Sequence, residues 1–395
     1  MAKKGTLLHM IYADSQGQIY DHPWLRMLCR KGRDILPVRP EECIPLPQNS
    51  DLFLLPERRA LGFDPDNGQV IESEYLALAA FVCPAYTLTG LTAFQSPKTA
   101  CPLPLFAYGA VGYANGRFYV CAKKVDADLR QDFSRIPDGR IQSGAERLLQ
   151  TFPENRLVRH LSNCALTYGC PAAKNLALGR FEAPLPTART CNAACVGCIS
   201  KQSEDSGFPS TQERIAFRPS VQEITQIMHH HAGRETHPIF SFGQGCEGEP
   251  LMEADLLCEA VKAYRQGQGA GTVNVNTNAS CPETIPGLAR AGLSSIRASL
   301  NSAREENYTA YHRPQSYSFA HVRQSIATAK EHGLFVSLNL LTFPGLTDTE
   351  AEFDALAALI EETKLDFIQL RNLNIDPEVY LELFPGSDSP SMGLK

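Results

Sequence analysis

Three cysteines, Cys191, Cys195 and Cys198, stand in a CxxxCxxC spacing. Thirteen cysteines scattered over 395 residues would fall at these offsets only about once in a hundred random chains. Three neighbouring thiolates can hold a zinc ion with a fourth ligand, or three irons of a [4Fe–4S] cluster whose fourth iron stays open. Spacing alone does not choose between them. Zinc calls for a second CxxC or a histidine pair, and the run His229-His230-His231 sits near a helix end with consecutive side chains pointing apart, so it reads as a solvated helix end. Cys164 and Cys170, just upstream, either ligate a second Fe–S centre or are two buried thiols.

The elements that must position the triad are readable from about residue 220. Ser220 and Glu223 form a capping box, with Val221, Ile224, Ile227 and Met228 on one helical face. Strands are expected at 185–189, 239–242, 272–277, 295–300, 335–341 and 367–370. Helices are expected at 253–264, 283–291 and 318–332, followed by one opened by Thr347 and Glu350 with Phe353, Leu356, Leu359 and Ile360 inward. Six strand-helix steps imply a parallel sheet with helices outside. Within the strands, Val273, Val275, Ile296, Ala298, Leu300, Val336, Leu338 and Leu340 alternate with Asn274, Asn276, Asn278, Arg297, Ser299, Asn301, Ser337 and Asn339. Because helix-facing positions must be apolar, the other face is polar and reads as a cavity lining. Arg297 and Arg371 share that lining, either to grip a carboxylate or phosphate of a substrate or, for Arg297, to pair with Glu247 or Glu249.

The fold expected is α/β: a partial, TIM-like (β/α)6 barrel over 180–385, preceded by an α+β accessory domain over 1–170. In that first domain, 106–113 and 118–123 flank Asn115-Gly116, a strong hairpin signal. A helix is expected at 144–152, and 201–212, rich in Ser, Gln and charge, is expected to be a mobile loop.

The triad following the first strand of a six-step parallel half-barrel resembles the radical S-adenosylmethionine (radical SAM) enzyme superfamily, over about 185–372. The resemblance implies a [4Fe–4S] cluster on Cys191, Cys195 and Cys198, with S-adenosylmethionine chelating the unique iron. One-electron reduction then cleaves the sulfonium to a 5′-deoxyadenosyl radical that abstracts hydrogen from a small-molecule or peptide substrate. It also implies a reductant such as flavodoxin or ferredoxin. The run 243–250 resembles the family's glycine-glutamate motif through Gly248, Glu249 and Pro250, although Glu247 stands where a glycine is usual. Asn276, Asn278, Ser299 and Asn301 match positions of ribose and carboxylate ligands. Gly197 replaces an aromatic residue usual before the third cysteine, so adenine stacking must come from elsewhere. The turn 343–346 resembles the family's adenine-side turn, or is a plain strand-to-helix turn. Cys246, in the Glu249 loop, is a candidate for a catalytic or second-cluster role. Tyr308 and Tyr311 read as packing residues. The alternative from another class is a non-catalytic zinc or iron–sulfur protein serving structure or electron transfer.

Composition agrees. Formal net charge is −6 and the pI about 6.0, so no basic field is available for nucleic acid or an anionic membrane. The apolar stretch 75–82 precedes Pro84 and is too short to span a bilayer. The opening Met1-Ala2-Lys3-Lys4 lacks the apolar run and cleavage site of a secretory signal. A cytoplasmic protein is expected, with enough length for two domains.

Overall fold

In the computed structural model, which describes residues 7–48, 50–128, 130, 133, 136–385 and 390–394, the chain opens with a β-rich part. Its strands are β1 (His9–Ala13), β2 (Ile19–Lys31), β3 (Asp34–Pro37), β4 (Cys43–Pro45), β5 (Asp51–Asp64), β6 (Gln69–Phe81), β7 (Tyr86–Leu88), β8 (Leu91–Thr92), β9 (Phe94–Gln95), β10 (Val111–Ala114) and β11 (Arg117–Lys124). They form one antiparallel sheet among the described residues. The Asn115-Gly116 signal is met: Ala114 pairs with Arg117, and both turn residues have positive φ, 50° and 78°, as the mirror-image hairpin turn requires. The signal-peptide reading rests on residues outside those described. No helix among the described residues is long and apolar enough to cross a membrane.

Three helices follow: α1 (Asp138–Thr151), α2 (Arg156–Leu166) and α3 (Pro171–Leu178). Their buried residues Leu148, Leu157, Val158, Leu161 and Leu176 share a core with Ile224, Phe240 and Val273 of the following domain. The helical share of the expected accessory domain therefore packs on the half-barrel, and the β share forms its own sheet. Close packing of α1 on α3 depends on Gly144, where a Cβ would strike the Ala177 carbonyl.

The half-barrel has six parallel strands in sequence order: β12 (Glu182–Pro184), β13 (Ile239–Phe242), β14 (Thr272–Thr277), β15 (Ser295–Leu300), β16 (Phe335–Thr342) and β17 (Phe367–Asn372). Between them run α4 (Val221–Ala232), α5 (Ala254–Gln266), α6 (Ile285–Ala291), α7 (Glu305–His312), α8 (Phe319–Glu331) and α9 (Glu350–Thr363), and α10 (Pro377–Glu382) follows β17. Val273, Val275, Ile296, Ala298, Val336 and Leu338 have no exposure, so the apolar parity faces the helices as expected. Register sets Asn276, Arg297 and Ser337 side by side, and one layer on Ser299, Asn339 and Gln369.

Four expectations are corrected. The first strand ends at Pro184, before the expected 185–189, because Pro186 has no N–H and the amides of Thr187 and Ala188 donate to the Glu247 carboxylate at 2.7 and 2.9 Å. Segment 201–212 holds a short helical turn, Glu204–Ser206, and buries Phe208 in the core shared with the N-terminal sheet. On α9, Phe353 is exposed and Glu352 is buried instead, accepting hydrogen bonds from Ser302 and Asn307, while the cap position is Thr349. His231 is fully buried against Phe240, so the histidine run is not a wholly solvated helix end.

The N-terminal sheet docks over the mouth of the half-barrel. Leu78, Ala80 and Leu88 share a core with Phe208, Tyr311, Phe343, Tyr380 and Phe384, and Cys195, Val196 and Ile199 pack against it.

Candidate active site

The triad loop is held from several directions by backbone bonds. Ala194 N–H donates to His312 O at 3.1 Å, Val196 N–H to Tyr311 O at 3.0 Å, and Gln315 N–H to Asn192 O at 2.9 Å. Asn192 donates its side chain to Ser280 and accepts from Asn278, tying the loop to the end of β14. Cys195 Sγ lies 3.4 Å from His312 Nδ1, and Arg214 Nη2 donates to Cys198 Sγ at 3.5 Å. Burial, with the Glu249 carboxylate nearby, pushes the Cys191 thiol up to about 11, and burial pushes Cys195 up further. Gly197 leaves room for Tyr311: a Cβ there would lie 2.5 Å from the phenolic oxygen. The space an aromatic residue would need is thus already taken.

The glycine-glutamate loop runs beside the chain entering the triad. Gly248 N–H donates to Ala188 O at 2.7 Å and Glu249 N–H to Thr190 O at 2.9 Å. A Cβ at Gly248 would strike Thr190 O, so this approach is open only to glycine. Pro250 is buried and starts the next helical turn. Glu249 Oε1 accepts from Thr277 Oγ1 at 2.5 Å and Leu251 N at 2.9 Å, and Oε2 from Asn278 N at 2.8 Å. Burial lifts this carboxyl to about 7 against those bonds. Oε1 accepts two bonds and Oε2 one, which leaves Oε2 a free lone pair, so Glu249 joins the loop to β14 while remaining an acceptor.

Glu247, standing at a usual glycine, has its own structural use. Its carboxylate accepts from Thr187 and Ala188 on one oxygen and from Gly243 and Gln244 on the other, at 2.6–2.9 Å for the four amides. One side chain thereby fixes the strand exits leading to both loops. Neither this role nor those of His312, Arg214 and Asn192 was found from sequence. For Glu247 a signal existed, a second carboxylate two residues before Glu249; for His312 none did, since its contact with Cys195 spans 117 positions.

The inward residues share the polar face of the sheet. Asn276 donates to Phe242 O at 3.1 Å, Ser299 stands in register with Asn339, and Asn301 donates to Asn307 O and the Tyr380 hydroxyl. Asn301 Oδ1, Gln369 Oε1 and His312 Nε2 are buried without a hydrogen-bond partner, the condition of groups awaiting a polar ligand. Arg297 does not pair with Glu247 or Glu249; its Nε donates to Ser337 Oγ at 3.3 Å. Glu182 is the acid whose charge acts on both Arg297 and Arg371, opposing the loss of solvation that lowers their pKa values. Two cations thus face this one acid. Cys246 shares the Glu249 loop, but its thiol packs with Cys164 and Ala173 beside α1–α3. Pro344 O accepts from Gly32 N–H at 2.7 Å, so the turn 343–346 docks the N-terminal sheet.

The donor chemistry fits a polynuclear cluster. A zinc ion with bonds of about 2.3 Å gathers its sulfurs to within about 4 Å of one another. Among the described residues, the group whose ligand atoms converge to within 4.8 Å is His160, Cys164 and Cys246, and the triad is not of that kind. Cys191, Cys195 and Cys198 would hold the cluster, with Arg214 and His312 at two of its sulfurs.

Residues 185–357 match the family model described as the Radical SAM superfamily. Curated relatives include GTP 3′,8-cyclase of Stenotrophomonas maltophilia (strain R551-3), 27% identical over 171 residues, 42% of this chain and 47% of the relative. The chain therefore matches less than half the length of that relative. Similar solved structures include HydG, a maturase of the [FeFe]-hydrogenase, with TM-score 0.38 and 17% identity over 60% of this chain and 59% of that one. Coproporphyrinogen III oxidase (HemN) from Escherichia coli gives 0.36 and 14%, over 53% and 48%.

Proposed function

Taking as premise that residues 185–357 are a domain of the radical SAM superfamily, we propose that the protein is a radical enzyme acting on an anionic small molecule or peptide held in the half-barrel. When bound, the cluster and S-adenosylmethionine supply one-electron cleavage of the sulfonium and a 5′-deoxyadenosyl radical for hydrogen abstraction. The observation that carries this reading is the direct union of the triad loop with the Glu249 loop through Gly248, Glu249 and Glu247, which a structural metal site does not require.

The chain's own residues then have separable tasks. Cys191, Cys195 and Cys198 hold the iron, and Arg214 donates to one sulfur, favouring the reduced, more negative cluster. Glu249 accepts a bond from the amino group of S-adenosylmethionine, with the Gly248 and Pro250 backbone shaping that edge. Asn276, Asn278, Ser299 and Asn301 offer donors and acceptors to its ribose and carboxylate. Arg297 and Arg371 bind a carboxylate or phosphate of the substrate, and the N-terminal sheet keeps water from the mouth. A flavodoxin- or ferredoxin-type donor supplies the electron.

Anaerobic reconstitution with iron and sulfide, followed by dithionite and S-adenosylmethionine, tests the proposal. We expect 5′-deoxyadenosine to form, and to disappear in Cys195→Ala. An intact cluster that releases none would refute the enzyme reading.

A further inference from the structure

Outside the cavity, a second set of metal-ligating side chains comes together. His160 and Cys164 lie four residues apart on α2, hence on one helical face. Cys246 reaches them from the loop between β13 and α5. Their ligand atoms all lie within 4.8 Å of one another, and His160 Nε2 is 3.6 Å from Cys164 Sγ. A tetrahedral ion with Zn–S of about 2.3 Å and Zn–N of about 2.0–2.1 Å sets that N···S edge at about 3.6 Å. The thiols are 1% and 3% exposed, and Cys170, at the start of α3, packs in the same cluster, with its N–H donating to Cys164 O at 3.0 Å.

We propose that His160, Cys164 and Cys246 bind a single ion of the zinc class, separate from the iron–sulfur centre. Two thiolates and an imidazole select zinc over hard cations. Their span suits one ion, whereas a cluster separates its thiolates by giving each to a different iron. Cys170 packs in the same cluster outside this three-residue set, and a solvent molecule would complete four-coordination. The ion would join α2 to the loop that carries Glu247 and Glu249, so the helical segment before the half-barrel would help set that loop's position. Binding releases the thiol protons to solvent and involves no redox change.

The test is metal counting on the full chain, reconstituted without oxygen and then equilibrated with zinc and passed through a desalting column. About one zinc per chain is expected beside about four irons. Cys164→Ser and His160→Gln should each lower zinc severalfold while iron is retained. Should either variant fail to fold, the unsubstituted cluster-loaded chain still decides: cobalt(II) in place of zinc should give sulfur-to-cobalt absorption in the near ultraviolet and tetrahedral bands in the visible. A chain with its irons and no retained zinc or cobalt spectrum overturns the site. So does recovery of Cys164 and Cys246 as a disulfide, or extra iron and sulfide in place of zinc. Zinc retained by a chain that takes up no iron, and lost in Cys164→Ser but not in Cys195→Ala, would uphold this site while defeating the radical-enzyme reading.

Discussion

The Gly197 position shows how one missing side chain fixes a site. Family resemblance points to an aromatic residue there, and Tyr311 reaches over the glycine from α7 to fill the volume instead. In Gly197→Ala, a Cβ 2.5 Å from the Tyr311 oxygen must push either the tyrosine into its packed surroundings or the loop between Cys195 and Cys198 out of place. Overpacking of this kind costs about 1–3 kcal/mol. Iron uptake on reconstitution should fall severalfold in this variant and recover in Gly197→Ala with Tyr311→Phe, where the next atoms stand at 3.4 Å. Equal iron content in the single variant and the unsubstituted chain would rule the clash out.

Among the elements, α4 illustrates both what could be read from sequence and what could not. Its capping box is realised, Ser220 Oγ accepting from Glu223 N–H and the Glu223 carboxylate accepting from Ser220 N–H. The same carboxylate also accepts from the backbone and guanidinium of Arg156 on α2 at 2.7–2.9 Å, a contact over 67 positions that no local pattern announces. Arg156 above all holds the Glu223 carboxyl down to about 2. A folded pKa below the unfolded value of about 4.3 adds stability above that pH, and the gain is lost as pH falls toward about 2. Glu223→Gln should therefore lower the unfolding free energy by on the order of 1 kcal/mol at neutral pH, a modest figure because Arg156 is half in solvent. The deficit should shrink in melts taken near pH 3; a deficit independent of pH would mean the cap, not the charge, is responsible. The contrast with Arg156 is general in this chain. Parity in β14–β16 was readable because a strand covered by helices must bury every second residue, and so were the triad and the Asn115-Gly116 turn. The ends of elements set by distant partners were not: Glu247 takes the amides that would have prolonged β12, and Ser302 and Asn307 turn Glu352 of α9 inward.

At the scale of the whole molecule, the antiparallel sheet was least readable, since β1 pairs with β10 and β4 with β11 across long stretches of chain. Yet this sheet closes the half-barrel over the triad loop. Its attachment centres on Arg58, whose guanidinium meets Asp376 at 3.0 Å with the two side chains 3% and 1% exposed. Asp376 also accepts from Leu103 N–H and caps α10 through Glu378 N–H, and Gly32 N–H and Arg33 add bonds to Pro344 O and Leu381 O. Removing one partner of a buried pair leaves the other charge unsolvated, at about 3–5 kcal/mol. Arg58→Met should lower the unfolding midpoint and, by loosening the sheet over Cys195 and Val196, speed oxygen bleaching of the reconstituted cluster. Adding Asp376→Asn, which removes the stranded charge and keeps one acceptor oxygen for the Leu103 or the Glu378 amide, should restore part of both. If Arg58→Met bleaches no faster than the unsubstituted chain despite a lower midpoint, the sheet is attached there but is not what shields the iron, and protection must come from the half-barrel alone.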